Sequence, residues 1–377
     1  MALTFSNLRV LAILRSLLQS DSSGGTETLL SVEQVPDVLK EPYIFTGYRP
    51  LGRPWKYYFC SILLLHNESV NIWSHAIGFF VVLFRLLHFF SDRDVLQDKV
   101  TWPVLGFGVS CLLSLTLSSA AHLLHSRSRW HHFLFFLIDY MGVTFYAFGC
   151  GIISMFICSP RGYHEALHQW FLPANVLFSW FSFYACCIAK THLSHDNTKR
   201  KSLMLAAVTL HGVFVGMPVI IRYVECLLSA DCSLQSLNHI TLALLGLGLC
   251  AVTFAGNCPE SWRPGCFDIL GHGHQIFHVL SVIVMLLEVR IIDIEINING
   301  PVRELQPDLL HICVAFVTLL ALEAATLAYH VRFLYLRRLS QELPKKDVQE
   351  GLISIDEIED QAAGSIENEA GVVKKCK

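Results

Sequence analysis

The chain has 377 residues, of which 53% are hydrophobic and only 16% are charged, whereas soluble domains carry about 25% charged residues. This composition excludes an ordinary soluble protein, because too few charges are available to cover its surface, and it favours a chain embedded in lipid. The net charge of −3 argues against nucleic-acid binding, which requires a basic surface. The thirteen Cys lack CxxC pairs at zinc-finger spacing, so we predict no Cys-based zinc module.

Residues 1–69 precede the first long apolar run and are predicted to form a cytosolic N-terminal segment. A short apolar stretch at 10–14 is bracketed by arginines and is too short for a cleavable signal peptide. Residues 21–28 (DSSGGTET) have the composition of a flexible linker.

Eight apolar runs follow, each about as long as a membrane span requires. They are too long and too continuous for barrel strands, and only helices or closed barrels satisfy the backbone in lipid. We therefore predict an all-α polytopic membrane protein, with a seven-helix core over 70–292, an extracellular loop over 293–308 and an eighth span over 309–331 that Glu323 interrupts. The eight runs are 70–90, 103–124, 133–157, 170–189, 203–221, 237–255, 272–292 and 309–331.

The loop cations predict the orientation of these spans. With the N-terminus inside, fourteen loop Lys and Arg residues fall on the cytosolic side and six fall outside, so the positive-inside rule predicts that both termini are cytosolic. The acceptor pattern Asn67-Glu68-Ser69 then lies in the cytosol, and glycosylation there would contradict this topology. Cys226 and Cys232 fall in an outer loop, where either a disulfide or two free thiols are expected.

Residues 332–377 are predicted to be a cytosolic tail. From Ser340 onward the chain has many acidic residues and no aromatic residue. Such a composition is typical of disorder.

Few ionisable side chains lie inside the predicted spans, where they are costly and usually functional. Arg85, Glu288 and Arg290 lie near the outer ends and are predicted to reach the interface. Asp139 and Glu323 lie deeper and need partners.

The histidines give a stronger signal. His274 and His278 are one helical turn apart at the start of the seventh run, which places both imidazoles on one face. In the predicted orientation, His122 lies at the cytosolic end of the second run, and Asp139 lies about two turns into the third. Four side chains are therefore expected at similar depth on the cytosolic side.

Three His with an open fourth position form the usual arrangement of catalytic zinc, and imidazole suits zinc better than oxygen-seeking ions. Ser118 lies one turn before His122 on the same face. Asp139 is a candidate to orient a water, accept its proton, or hold a ligand His by its second nitrogen. The alternative is a buried hydrogen-bond network without metal.

Other histidines fit simpler interpretations. His272 is an alternative ligand, and His211 and His239 are predicted helix–helix contacts. Three histidines in a basic inner loop are predicted to contact lipid headgroups or solvent: His125, His131 and His132.

Five segments in order resemble the progestin and adiponectin receptor family over about residues 33–335. They most resemble its membrane progestin receptor branch of the alpha/beta type. The segments are EPYIFTGYRP (41–50), HNESVNIWSHAIG (66–78), SSAAHLLHSRS (118–128), IDYMGV (138–143) and PGCFDILGHGHQIFHVL (264–280).

This resemblance implies a heptahelical core with a cytosolic N-terminus and a zinc site near the cytosolic face. When the zinc ligands of the family are carried over to the matching positions of this sequence, they fall on His122, His274 and His278. Asp139 corresponds to the family's Asp near zinc, and Ser118 to its Ser one turn before the first ligand.

The family implies two functions. The progestin branch implies a plasma-membrane steroid receptor that binds progestin within the bundle and signals to cytosolic partners such as G proteins. The adiponectin branch implies a zinc-dependent lipid amidase acting on ceramide or a related sphingolipid, assisted here by Asp139 and Ser118.

The residues themselves permit both functions, because zinc can act as a catalyst or pin helices around an apolar cavity that holds a steroid. Glu323 is a candidate partner for a steroid oxygen, with plain helix packing as the alternative. The basic loop 190–201 is a candidate surface for G proteins or anionic lipid.

Overall fold

The computed structural model describes residues 29–95, 97–193, 196–298 and 305–342. The predicted linker at 21–28 and most of the predicted tail lie outside these ranges. Eight long helices dominate the described chain. They are α1 (Ser69–Ser91), α2 (Thr101–Leu124), α3 (Arg129–Ile153), α4 (Arg161–His192), α5 (Asn197–Leu228), α6 (Asn238–Gly256), α7 (Gly273–Ile298) and α8 (Leu309–Glu342).

Seven of these helices, α1–α6 and α8, are long and apolar enough to cross a membrane. The described part of the chain is almost entirely helical, with one isolated antiparallel bridge between Leu30 and Tyr48. The predicted all-α polytopic membrane fold is confirmed. Each of the eight apolar runs corresponds to one long helix, and α7 continues to Ile298, six residues beyond the predicted end of its span.

The helices form a core with one helix added outside it. Helix α1 packs between α2 and α7, α3 packs on α2, α4 packs on α3, and α6 packs on α7. Helix α8 lies mainly against α4 and also contacts α2 and α3. Close approach of α2 and α3 depends on Gly142, where an added Cβ would lie 3.1 Å from the Ser114 Cα. Small residues at such crossings are typical of membrane helices.

Helix α7 is less apolar than its neighbours because its second half carries four charged residues, and three of them have partners on other helices. Glu288 is buried and accepts a hydrogen bond from the Tyr146 hydroxyl at 2.6 Å. The prediction that Glu288 reaches the interface is therefore wrong. Asp293 lies 3.4 Å from Arg85, which is partly exposed as predicted.

Glu295, the last of these charges, is fully buried between α5 and α6. It pairs with Arg222 at 2.5 Å and with His239 at 2.6 Å. A buried charge without a partner would be strongly destabilising, so these contacts explain how α7 keeps an acidic end inside the bundle.

Residues 29–68 form a compact segment at the end of the bundle where α2 ends and α7 begins. Arg49 is buried and donates to the carbonyl oxygens of His122 and Leu123, both at 2.6 Å. These carbonyls belong to the last turn of α2, whose backbone acceptors lack partners within the helix. Burial lowers the pKa of Arg49 to about 10, which leaves the guanidinium charged at neutral pH.

Asp268 attaches the same segment to the loop before α7. Its carboxylate accepts from the backbone N–H groups of Phe45 and Thr46 at 3.1 and 2.8 Å, and from the Thr46 hydroxyl at 2.7 Å. The segment therefore holds both the end of α2 and the approach to α7. Far from this segment in the sequence, Cys226 in the last turn of α5 forms a disulfide with Cys232 in the loop that follows.

Candidate metal centre

The start of α7 positions two histidines. The Glu260 carboxylate accepts from the Gly273 N–H at 2.6 Å, which satisfies a free donor of the first turn. A Cβ at Gly273 would lie 2.8 Å from the Cys258 carbonyl oxygen, so only glycine fits there. The helix that begins here places His274 and His278 one turn apart, facing α2.

The three predicted ligands meet between α2 and α7. His122 Nε2 lies 3.4 Å from His274 Nε2, and His278 Nε2 lies 3.2 Å from His274 Nε2. One ligand nitrogen from each residue lies within 4.8 Å of the other two. His122 and His278 are buried and His274 is partly exposed. The sequence thus identified three side chains that the fold brings to one point.

This donor set fits a zinc ion. Two imidazole nitrogens bound to tetrahedral zinc at 2.0–2.1 Å lie about 3.3 Å apart, close to the separations of 3.4 and 3.2 Å between these nitrogens. Three neutral nitrogen donors are also a ligand set that zinc accepts readily. The group can therefore hold a metal ion.

Glu68 orients the first of these histidines. Its Oε2 lies 2.7 Å from His122 Nδ1, so Nδ1–H donates to the carboxylate and Nε2 is left to face the other two rings. A carboxylate on the second nitrogen is the usual support of a metal-bound His. Burial alone would raise the pKa of Glu68, but its contacts with His122 and His125 hold that pKa well below its usual value.

Asn71 and the backbone of Asn67 hold Glu68 in place. The Asn71 side chain donates to Glu68 Oε2 at 2.6 Å. The Asn67 carbonyl accepts from Gln275 Nε2 at 3.1 Å and lies 3.2 Å from His272 Nε2. The dipeptide Asn67-Glu68 therefore contacts α7 through its backbone and α2 through its carboxylate.

This role of Glu68 was not predicted from the sequence. The residue stood out only within the acceptor pattern Asn67-Glu68-Ser69, and Asp139 was the candidate carboxylate for holding a ligand His. For His122 that carboxylate is Glu68. An acidic residue directly before the first span, three residues before Asn71, was the available signal.

Asp139 and Ser118 lie beside the centre and are both buried. The Ser118 hydroxyl lies close to the Asp139 carboxylate, and Asp139 lies within electrostatic range of His122. Asp139 Oδ1 has no hydrogen-bond partner among the described residues. The structure thus places an acceptor with unused capacity near His122.

A fourth histidine supports the centre by packing. The His75 ring stacks on His278 with centroids 3.9 Å apart, and its Nε2 lies 3.2 Å from the Ser281 hydroxyl. His75 therefore restricts the ring orientation of a candidate ligand.

The histidines of the basic loop differ from their prediction. His125 and His132 are buried, with their Nδ1 atoms 3.2 Å apart, because the turn after α2 folds them beneath Phe136. The prediction of solvent or headgroup contact is wrong for these two. His131 is half-buried and lies against Trp55.

The remaining candidates lie away from the centre. His272 contacts the Asn67 carbonyl, and His211 contacts Ser179 and Asn175 across the α4–α5 interface. Glu323 is fully buried in α8, where its Oε1 accepts from the Thr144 hydroxyl at 2.8 Å. Its Oε2 has no hydrogen-bond partner within the described residues.

Comparison with known proteins gives the family. The model of the haemolysin-III-related family matches residues 63–289. This range includes Glu68, Ser118, Asp139 and the three clustered histidines.

Several curated proteins are similar over most of the chain. Membrane progestin receptor beta of Homo sapiens is 35% identical over 319 residues, which is 83% of this chain and 88% of that protein. The protein of the same name from Sus scrofa is 33% identical over 83% of this chain and 88% of its own length. Membrane progestin receptor alpha-B of Danio rerio is 31% identical over 80% of this chain and 86% of its own length. The chain therefore belongs to the haemolysin-III-related family of progestin and adiponectin receptors, and within it resembles the membrane progestin receptors.

Proposed function

We propose that this protein is a steroid receptor of the plasma membrane, which binds a progestin within its helix bundle and signals to cytosolic partners, including G proteins. The observation that carries this proposal is its identity of 33–35% to proteins named membrane progestin receptor beta, over 78–83% of the chain. The eight long helices offer the apolar interior that a steroid requires.

The proposal includes a zinc ion bound by His122, His274 and His278, with Glu68 fixing the orientation of His122. Support comes from the convergence of three Nε2 atoms and from the carboxylate on the opposite nitrogen. When bound there, zinc supplies a link between α2 and α7 and Lewis acidity at an open coordination position.

Glu323 and Thr144 are the proposed polar contact for a steroid oxygen. A carboxyl group in the membrane interior must find hydrogen-bond partners, and Glu323 Oε2 has none among the described residues. The two residues join α8 to α3, so a ligand bound there would connect the outer helix to the core.

The proposed orientation places the metal centre near the cytosol, because the positive-inside rule assigns the N-terminal segment and the 193–197 connection to that side. Lys190 is buried and does not belong to the proposed effector surface. Lys199 is exposed and, with Arg200 and Lys201, remains in that surface for G proteins or anionic lipid.

A second function has one specific observation in its favour. Asp139 has an acceptor oxygen without a hydrogen-bond partner among the described residues, and it lies with Ser118 near His122, one of the three convergent histidines. This arrangement suits proton transfer during hydrolysis of a lipid amide such as ceramide. Asp139 would accept the proton, and Ser118 would hold the carboxylate in place.

Saturable progestin binding to membranes that contain the full-length protein tests the receptor proposal. We expect binding above that of membranes without the protein, and we expect Glu323→Leu to weaken it, whereas Glu165→Leu, at an exposed site on α4, should not. Equal binding with and without the protein would refute the receptor function. Release of fatty acid from ceramide that is lost in Asp139→Asn, with progestin binding absent, would favour the hydrolase instead.

A further inference from the structure

A line of buried polar contacts continues from the other oxygen of Glu68. Oε1 lies within ion-pair distance, 3.3 Å, of His125 Nε2, which also lies 3.4 Å from the Ser126 hydroxyl. His125 Nδ1 lies 3.2 Å from His132 Nδ1. His132 Nε2 in turn lies 3.0 Å from Lys190 Nζ, at the end of α4. All four side chains are buried. The line therefore connects α4 to the carboxylate that orients His122.

The two ends of this line fix the direction of each hydrogen bond. A carboxylate only accepts and an ammonium group only donates, and the position of Lys190 Nζ over the Phe136 ring fits the ammonium form. His132 Nε2 must therefore accept from Lys190, which leaves its proton on Nδ1. That proton is donated to His125 Nδ1, so His125 carries its own proton on Nε2 and donates it to Glu68. With the protons on the opposite ring nitrogens, two donors would face each other between His132 and Lys190, and two acceptors would face each other between His125 and Glu68.

One aromatic ring shields the whole line from water. Phe136 packs against His122, His125 and His132 with ring centroids 5.7, 5.1 and 4.6 Å apart. Lys190 Nζ lies 4.3 Å from the centroid of the same ring, within the range of a cation–π contact. In such a low-dielectric environment hydrogen bonds are stronger and an unmatched partner is more costly.

We propose that Lys190 is a positioning residue of the metal centre. It fixes the tautomers of His132 and His125, and through them it holds Glu68 in the orientation that directs His122 Nε2 toward the other two ligands. This inference rests on the proposed zinc site. It also means that a movement of the end of α4, next to the proposed effector surface, acts on the zinc through hydrogen bonds alone.

Three variants of the full-length protein test this role by competition for zinc with a chelator. Lys190→Met keeps the length of the side chain but cannot donate, and it should weaken zinc binding by about tenfold or more, as loss of an outer support of a metal site usually does. Lys190→Arg retains a donor and should bind zinc nearly as the wild type does. Lys56→Met, at an exposed site of the N-terminal segment, is the matched control and should have no effect.

If the Lys190→Met variant folds and binds zinc as tightly as the wild type does, the proposed role of Lys190 is wrong, whereas the proposed zinc site still stands. A wild-type protein that binds no zinc would refute the zinc site itself, and the inference with it.

A second measurement needs no variant at Lys190. In zinc-loaded protein with ¹⁵N-labelled histidine, nitrogen chemical shifts should show the proton on Nδ1 of His132 and on Nε2 of His125, the two signals being assigned from their loss in His132→Gln and His125→Gln. If Lys190 contributed only to packing, it would not determine which ring nitrogens of His132 and His125 carry the proton. Protons found on the opposite nitrogens would overturn the proposal.

Discussion

The Glu68 carboxylate and the His122 imidazole meet at 2.7 Å although the two residues are 54 positions apart in the sequence. Glu68 lies just before α1, and His122 lies in the last turn of α2. The contact makes His122 an oriented nitrogen donor before any metal is present, which is the preorganisation that a metal site requires.

Replacing Glu68 by Gln should weaken zinc binding by about tenfold to a hundredfold. The amide lacks the negative charge that holds His122 Nδ1–H, so the free Nε2 is less strongly fixed. Chelator competition with the purified full-length protein measures the change. Glu165→Gln removes a carboxylate of an exposed ion pair and serves as control, and an unchanged affinity in Glu68→Gln would contradict the orienting role.

Replacing His278 by Ala should abolish stoichiometric zinc binding, because two imidazoles alone hold zinc far more weakly than three. Metal analysis of the purified protein checks this, with one zinc expected per wild-type chain and none retained by the variant. His88→Ala, at an exposed position of α1, should retain its zinc. Retention of zinc by His278→Ala would remove that residue from the ligand set.

Replacing Arg49 by Met should destabilise the protein by about 3 kcal/mol, in the range found when one partner of a buried charge network is lost. The change leaves the carbonyl oxygens of His122 and Leu123 without their donor. Thermal unfolding in detergent should show a clear fall in Tm. Lys56→Met, at an exposed site of the same segment, should change Tm little, and an equally small change in Arg49→Met would argue against this anchor.

His66 should make the stability of the N-terminal segment depend on pH. Its Nδ1 accepts from the Glu68 N–H at 3.1 Å and its Nε2 lies 3.2 Å from the Ser61 carbonyl, so the folded protein needs a neutral ring. Burial first, and then Arg49, hold the pKa of His66 well below its ordinary value of 6.5. The unfolded chain takes up the proton more readily, so the stabilisation is present above pH 6.5 and is lost as the pH falls below it.

Hydrogen exchange of residues 41–68 at pH 7.5 and pH 5.5 measures this effect. Protection factors, which correct for the fall of the intrinsic exchange rate with pH, should be smaller at the lower pH in the wild type and should change less in His66→Gln, which can still accept and donate but does not titrate. The charged and titratable neighbours Arg49, Glu68 and His125 are retained in both proteins. Identical pH dependence in the two would assign the effect to those neighbours.

Local pattern and membrane topology predicted the helices and the three clustered histidines. Hydropathy located the eight runs, and the loop cations set the side at which each run begins. His122, His274 and His278 could therefore be assigned to one depth before any contact was known. Ser118 and Asp139 followed from the same reasoning, and the structure places both beside the cluster.

The features that the sequence did not predict depend on long-range contacts of charged groups. Glu288 looked interfacial because its partner Tyr146 is 142 residues away. His125 and His132 looked solvated because arginines surround them in the sequence, yet a single turn buries them under Phe136. Hydropathy cannot show that a charge is buried when the group that neutralises it lies on another helix.

The N-terminal segment has a further consequence for how the metal centre can be disturbed. Arg49 holds the helix that carries His122, and Asp268, just before the helix that carries His274 and His278, holds Phe45 and Thr46. Residues 45–49 therefore connect the two helices that carry the clustered histidines, from outside those helices. Phe45 and Thr46 are exposed, so we expect a change that displaces this stretch to disturb both halves of the cluster without touching any of its histidines.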